Sequence, residues 1–347
     1  MPLAPLTTLQ VGGAAEWYTR ATSVEQVQGA HAWAAGRGVP MLVLGGGSNV
    51  VVADEGVRGL VVHIGIEGTG FDAQGDEALV DAGAGEPWDR LVARVVDGGY
   101  AGLETLSGIP GLVGGTPIQN VGAYGQEVAD TIERVTVLDT RTGAVTGLAA
   151  RDCGFSYRQS RFKNADAGRF VVCRVAFRVR RGAPTVTYPD VVTWVENMGL
   201  EHATVADVRR GVLEIRRRKG MVLDPADADT RSVGSFFMNP IVSVSKHEEL
   251  GSPSFPMPTG AVKIPAAWLI ERAGLARGFE AGAAGVSSKH PLAIINRGGA
   301  TANDVVDLAC RIKRAVLDRF GIALRPEPVF LGFGSDERVR FLQRDSS

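Results

Sequence analysis

Residues 232–240 read SVGSFFMNP and set one hydroxyl, Ser235, between Gly234 and two phenylalanines. Such a serine can pass a proton where water is kept out; on the residues alone, a serine in a tight turn entering a strand is the plainer account. Two glycine loops carry the other chemistry. LGGGSN, residues 44–49, offers successive backbone N–H groups with almost no side chains. That is either a nest for phosphate oxygens or a tight turn. It lacks the Gly-Lys-Ser/Thr of a P-loop, and VVVAD continues as a strand where a dinucleotide fingerprint would open a helix. LETLSGIPGLVGGTPIQNVGAYGQE, residues 103–127, is richer still in glycine and holds two prolines. Its backbone could lie against a flat ligand, with the amides of Gln119 and Asn120 bonding a heteroaromatic edge. Ile109, Val113, Ile118 and Val121 argue against disorder, and structureless loops of this length are usually functional. Together the loops suggest a large diphosphate cofactor held without a Rossmann unit.

The elements that must position these residues are mixed. TSVEQVQGAHAWAAGRG predicts a helix with a Thr22–Glu25 capping box, Val24, Val27 and Ala34 on one face, and a stop at Gly36 or Gly38. VPMLVLGGGSNVVVAD predicts a buried strand, the first glycine loop and a second β-branched run. GLVVHIG, ALVDAGAG and RVTVLDTRTGAVTGL predict short strands, the last a hairpin around Thr142–Gly143. A short helix in EPWDRLVARVVDGGY stops at Gly98, and one in TVADVRRGVLEIRRRKG carries Val205, Val208, Val212 and Ile215 as its apolar stripe. Further on come a helix in AAWLIERAGL, a strand in PLAIIN, and a helix from Thr301 to Phe320 capped by Thr301 with Asp304 and stopped by Gly321. IALRPEPVFLGF, with its two prolines, suits an edge strand.

The 347 residues exceed one ordinary core, so two or three lobes are expected. Apolar content of 45% and charge of 22% describe a globular protein, and a net charge of −1 gives no field to draw nucleic acid or a membrane. No run approaches the roughly 18 apolar residues of a membrane span. The 45 glycines are about twice the usual ~7% and fall in discrete loops. Cys153, Cys173 and Cys310 show no CxxC spacing, and the five histidines form no HxxxH or HExxH pair. No disulfide framework and no metal are therefore expected. The N-terminal MPLAPLTTLQVGG has no signal-peptide pattern, so the expected location is the cytoplasm.

GGGSN, SGIPGLVGGTPIQNVGAYGQE, FSYRQSRFK, GSFFMNP and the closing RPEP occur in an order that resembles the UDP-N-acetylenolpyruvoylglucosamine reductase family, from about Thr7 to Gly334. The resemblance implies an NADPH-dependent FAD enzyme that reduces a UDP-linked enolpyruvyl ether to UDP-N-acetylmuramate, with FAD held non-covalently. It implies an α+β fold: a two-lobed FAD-binding domain of the vanillyl-alcohol-oxidase type plus a smaller substrate domain. The boundaries it suggests are 1–66 with 327–347 for the first lobe, 67–215 for the second, and 216–326 for the substrate domain. By position, Gly45, Gly46, Gly47, Ser48 and Asn49 would hold the cofactor's diphosphate. Ile109, Pro110, Gly111, Gly114, Gln119, Asn120, Gly122, Ala123 and Tyr124 would line the rest.

The implied reaction delivers hydride to C3 and a proton to C2, while charge spreads into the substrate carboxylate. Ser235 fits the acid, with Phe236 and Phe237 excluding water. Arg158 fits the cation on the carboxylate. Glu327, pinned between Pro326 and Pro328, fits a protonated carboxyl that stabilises the enolate, its pKa raised by burial. Tyr188, Lys219 and Asn239 fit contacts to the UDP-sugar. Where many members carry a lysine before Asn-Pro, this chain has Met238, so a cationic contact there is either absent or supplied by Lys263 or Lys289. KGMVLDP stands where the family often reads Lys-Leu-Pro-Asp-Pro, and the inserted MVLDPADADT is expected to form a mobile flap over the substrate phosphates. The partner is a small UDP-sugar, the protein a monomer or weak oligomer. Two other readings stay open: an alcohol oxidase of the same fold, which would commonly hold FAD through a His or Cys that neither glycine loop contains, and a non-catalytic nucleotide-sugar binder.

Overall fold

The structure is a computed structural model describing residues 1–257 and 260–344. It is α+β, in two compact units. A terminal unit comprises Met1–Ala15, Gly47–Val57 and the chain from Lys219 onward; an inner unit comprises Glu16–Gly46 and Arg58–Arg218. The segments expected to form a first lobe are thereby distributed. Val50–Val52 pairs in parallel with Val329–Leu331 in the terminal unit. Met41–Leu44 instead pairs with Val57–Ile64 in a three-stranded sheet that Ala15–Ala21 completes.

In the inner unit, Phe170–Arg181 lies between Ile132–Asp139 and Glu77–Gly83 in an antiparallel six-stranded sheet. Val135, Val175, Val80 and Phe177 are fully buried, each contributing about 1.5–3 kcal/mol. The helix Trp88–Asp97 adds Trp88, Leu91, Val92 and Val95 to the same core, with the Trp88 and Phe177 rings 5.8 Å apart. The hairpin turns where expected, Gly143 taking φ +73°. Two details differ from expectation. Ser23, not Thr22, caps the helix Val24–Ala35, because its side chain accepts from Gln26 N, while Thr22 donates to the Gln26 side chain. Met41–Leu44 is only partly buried, since it pairs on one side alone. The helix Val205–Arg218 buries Val208, Val212 and Ile215 of its predicted stripe against Pro189–Asn197 and Val205 in the main core, and a Cβ on Gly211 would come within 2.6 Å of the Trp194 ring.

The terminal unit packs Ala302–Phe320 and Ala266–Arg272 around Leu269, Ile270, Val305, Val306, Ala309 and Ile312. The long helix begins with the Thr301–Asp304 capping box, and Gly321 ends it at φ +67°. Asp54 adds a second cap, accepting from Ala302 N at 2.8 Å and Asn303 N at 2.9 Å. Among the described residues, no helix is long and apolar enough to cross a membrane, and no group of three or more His, Cys, Asp or Glu could hold a metal.

Candidate active site

In the terminal unit, residues 231–238 are held between two other segments by isolated β-bridges, Ser232 to Ile295 and Phe237 to Pro326. On one side Phe236 N donates to Leu292 O at 2.7 Å and Asn296 N to Arg231 O at 2.9 Å. On the other, Glu327 N donates to Phe236 O at 2.9 Å and Met238 N to Arg325 O at 2.9 Å. Phe237 and Pro326 are thus the paired residues, and Ser235 and Glu327, far apart in sequence, each lie within two residues of that pair on neighbouring segments. The Phe236 and Phe237 rings, 0% and 1% exposed, lie in the core 5.2 Å apart. Their burial anchors the backbone immediately after a half-buried serine. Ser235 Oγ lies 3.4 Å from His290 Nε2, a neighbour 55 positions away that no local pattern could signal.

Asn49 and Asn239 shape this region through their side chains. Asn49 Nδ2 donates to Glu327 O at 3.3 Å, and Asn239 Oδ1 accepts from Ala266 N at 2.9 Å, at the start of a helix. The segment expected as a flap is tied down: Asp227 pairs with Lys289 Nζ at 2.5 Å, and Asp229 accepts from Ser288 N and Oγ at 2.9 and 2.6 Å. Thr230 closes the loop on itself through Asp224 O and Asp227 O. Of the two lysines proposed for the missing cation, Lys289 is thus paired with Asp227, and Lys263 Nζ stands 5.6 Å over the Phe255 ring.

In the inner unit, the start of the helix Trp88–Asp97 pins the second glycine loop. Trp88 N donates to Gly111 O at 3.0 Å, Trp88 Nε1 to Leu106 O at 3.0 Å, and Gly108 N to Asp89 Oδ1 at 2.6 Å. Ile109 and Pro110 lie between these anchors, half-buried. The two glycine loops meet at Gly46, where an added Cβ would lie 2.8 Å from Gly111 Cα. Gly114 is packed just as closely on Ala84, whereas a Cβ on Gly45 or Gly115 would meet nothing within 4 Å. Some glycines therefore serve close packing, and others leave open backbone that a ligand can approach. In the terminal unit, a Cβ on Gly47 would strike Leu6 O at 2.0 Å; Ser48 follows it, half-buried.

Arg158, Asn120 and Tyr124 take left-handed backbone, with φ of 56°, 43° and 50°. Non-glycine residues there are uncommon and gather at functional sites. Arg158 Nη2 donates to Gly122 O at 2.6 Å, which ties the guanidinium to the loop. The Asn120 amide is engaged within the protein: Nδ2 donates to Glu127 Oε2 and Ser156 O, and Oδ1 accepts from Ala129 N. Gln119 Oε1 accepts from Lys163 Nζ at 2.8 Å, and Ala123 O from Thr105 Oγ1 at 2.9 Å. Tyr124 and Tyr188 meet edge to face, centroids 5.3 Å apart. Beside them, burial pushes the Arg216 guanidinium down from its ordinary value, opposed by Tyr124 and Asp89. Lys219 follows this helix, half-buried. Burial raises the thiols of Cys153, Cys173 and Cys310 to about 11, so none is a poised nucleophile.

Residues 15–148 match the family described as "FAD binding domain", and 224–331 match "UDP-N-acetylenolpyruvoylglucosamine reductase, C-terminal domain". The open backbone at Gly45 and Gly115 fits a flat, diphosphate-bearing cofactor. Curated proteins named UDP-N-acetylenolpyruvoylglucosamine reductase from Thermobifida fusca and Mycobacterium tuberculosis are 45% and 47% identical to it. Each alignment covers 96% of this chain, with 97% and 94% of the relative. The crystal structure of UDP-N-acetylenolpyruvylglucosamine reductase from Thermus caldophilus matches with a TM-score of 0.66 at 28% identity, over 95% of this chain and 97% of that one. The chain therefore belongs to the UDP-N-acetylenolpyruvoylglucosamine reductase family of FAD-containing oxidoreductases.

Proposed function

We propose that this protein reduces the enolpyruvyl ether of UDP-N-acetylglucosamine enolpyruvate to UDP-N-acetylmuramate, with NADPH as the source of electrons. The observation that carries the reading is the hydrogen bond joining Glu327 N to Phe236 O, which holds an alcohol and a carboxyl group on neighbouring segments. Bound FAD would supply hydride to C3 of the substrate. Its diphosphate would meet the backbone of Gly45, Gly46, Gly47, Ser48 and Asn49. The rest would meet Ile109, Pro110, Gly111, Gly114, Gln119, Gly122, Ala123, Tyr124 and the backbone of Asn120.

The remaining chemistry falls to side chains. Ser235 gives its proton to C2; a carbanion is a far stronger base than an alkoxide, so the transfer runs downhill. Arg158 grips the substrate carboxylate through its guanidinium. Glu327 donates a hydrogen bond to the charge that develops there. Tyr188, Lys219 and Asn239 bind the UDP-sugar, Asn239 through Nδ2. NADPH and nucleotide sugars are cytoplasmic metabolites, so we infer that the reaction runs there, in a monomer or weak oligomer.

The test is a pair of anaerobic half-reactions. NADPH should bleach the flavin, and the enolpyruvyl UDP-sugar should restore its colour. Ser235→Ala should leave bleaching nearly intact and slow recolouring by about 100-fold or more. Equal slowing of both steps would reject the acid role, and a reduced wild-type flavin that the substrate leaves bleached would reject the reductase reading.

A further inference from the structure

We infer that His290 is a positioning residue for Ser235: it donates its Nε2–H to Ser235 Oγ, turns the serine proton toward the substrate, and replaces that proton after transfer. The inference rests on the reductase reading and adds a residue to it.

The geometry begins with the turn that carries the imidazole. Ser287, 0% exposed, donates its N–H to Ala293 O at 2.9 Å, and Ala293 N donates to His290 O at 3.1 Å. Ser287 Oγ in turn accepts from Lys289 N at 3.1 Å and His290 N at 3.2 Å. Pro291 follows and fixes its own φ. One residue further, Leu292 O accepts from Phe236 N at 2.7 Å, so the serine and the imidazole both lie next to one short rung. The Asp227–Lys289 and Asp229–Ser288 bonds clamp the outer side of the turn. The Oγ–Nε2 separation of 3.4 Å is long for a hydrogen bond, as catalytic pairs often are before substrate closes on them.

Direction decides what such a pair can do. A serine hydroxyl has one proton and two lone pairs. If it donated to Nε2, the proton would point at the ring and the serine would be primed as a nucleophile. An acid needs the reverse, with Nε2–H donating so that the hydroxyl proton is free to face C2. Once that proton forms the C2–H bond, the serine is left as an alkoxide, a strong base. It takes the Nε2 proton of the imidazolium, the ring becomes neutral, and solvent reprotonates it. Hydride and proton together complete the reduction, and no further reactant is needed. The ionisable groups on the segments around the ring are Lys289 on its own turn, Asp224, Asp227 and Asp229 in residues 221–230, Arg231 at the start of the serine's segment, and Arg325 and Glu327 on the segment bonded to Phe236 and Met238. Lys289 is paired with Asp227.

The experiment follows the two half-reactions of the FAD-loaded protein across pH for wild type, His290→Leu and His290→Gln. NADPH should reduce all three at rates within about twofold. Recolouring by the enolpyruvyl UDP-sugar should slow by about 10–100-fold in His290→Leu and recover most of that in His290→Gln, whose amide still donates. Wild type should lose recolouring rate as pH rises through the imidazole range, and His290→Gln should not. A leucine variant that recolours like wild type, or a glutamine variant that is equally slow and keeps the alkaline fall, overturns the assignment. A wild-type flavin that NADPH bleaches but the substrate never recolours overturns the reductase reading itself, and this role with it.

Discussion

Replacing Asp89 with alanine would measure what holds the second glycine loop. Its Oδ1 accepts from Gly108 N and from Arg209 Nη1, each at 2.6 Å, and Oδ2 accepts from Arg209 Nη2 at 2.9 Å. Hydrogen bonds to charged groups contribute about 1.5–3 kcal/mol each, and cutting a buried pair costs about 3–5 kcal/mol. The Arg209 side chain is 17% exposed and that of Asp89 40%, so solvent screens part of the pair. We expect a loss of about 2–3 kcal/mol, or about 4–12 °C in melting temperature for a unit of this size. Asp89→Asn keeps an acceptor for Gly108 N and should lose about half as much. The sign with pH is fixed. Burial pushes the Asp89 carboxyl up, but Arg209 and Gly108 N–H outweigh it and leave the group below its ordinary value. A carboxyl depressed in the folded state stabilises above its unfolded pKa and loses that contribution as pH falls through the folded one. Melting curves of wild type and Asp89→Ala should therefore draw together below about pH 4. Hydrogen exchange across residues 106–112 should quicken in the variant at neutral pH. A variant melting within about 1 °C of wild type, or a gap that persists unchanged in acid, would refute the reasoning.

Three further substitutions test neighbouring parts. Gly46→Ala would drive a Cβ to within 2.8 Å of Gly111 Cα, so it should destabilise by about 1–3 kcal/mol and part the two loops. Gly45→Ala meets no chain atom within 4 Å; its melting should match wild type to about 0.5 kcal/mol while FAD content falls, and full flavin occupancy would move the diphosphate elsewhere. Asp54→Ala removes the acceptor for Ala302 N and Asn303 N and should cost about 1–2 kcal/mol by denaturant titration, with no effect on bleaching by NADPH.

What could be read in advance follows from the range over which each determinant acts. The helix Ala302–Phe320 was legible at both ends because cap, stripe and stop all lie within a turn of where they act. The Val205–Arg218 stripe was legible for the same reason. The cap at Ser23 was misjudged because two adjacent hydroxyls offer the same local signal, and only backbone geometry separates them. Pro189–Asn197 escaped notice, although Pro189 stands at its first turn, where proline is favoured. Ser235 could be picked out by its motif, but its contact with His290 spans 55 residues and exists only because Phe236 N bonds Leu292 O and brings the two segments together.

The backbone of the second glycine loop carries that argument one step further. Asn120, Tyr124 and Arg158 each hold a left-handed conformation that a side-chain-bearing residue adopts at a penalty of about 1–2 kcal/mol. Glycine would remove the penalty, and the loop around Asn120 and Tyr124 uses it at Gly114, Gly115, Gly122 and Gly125, so those side chains are wanted where they are. Asn120 answers through its bonds to Glu127, Ser156 and Ala129, which brace the loop. Tyr124 answers through the Tyr188 ring and through Arg216, whose burial it offsets. Arg158 holds Gly122 O, yet a loop carbonyl can be satisfied by a neutral donor with no strain at all. In the proposed reaction, Arg158 would meet the substrate carboxylate from a segment tied to that loop through Gly122 O.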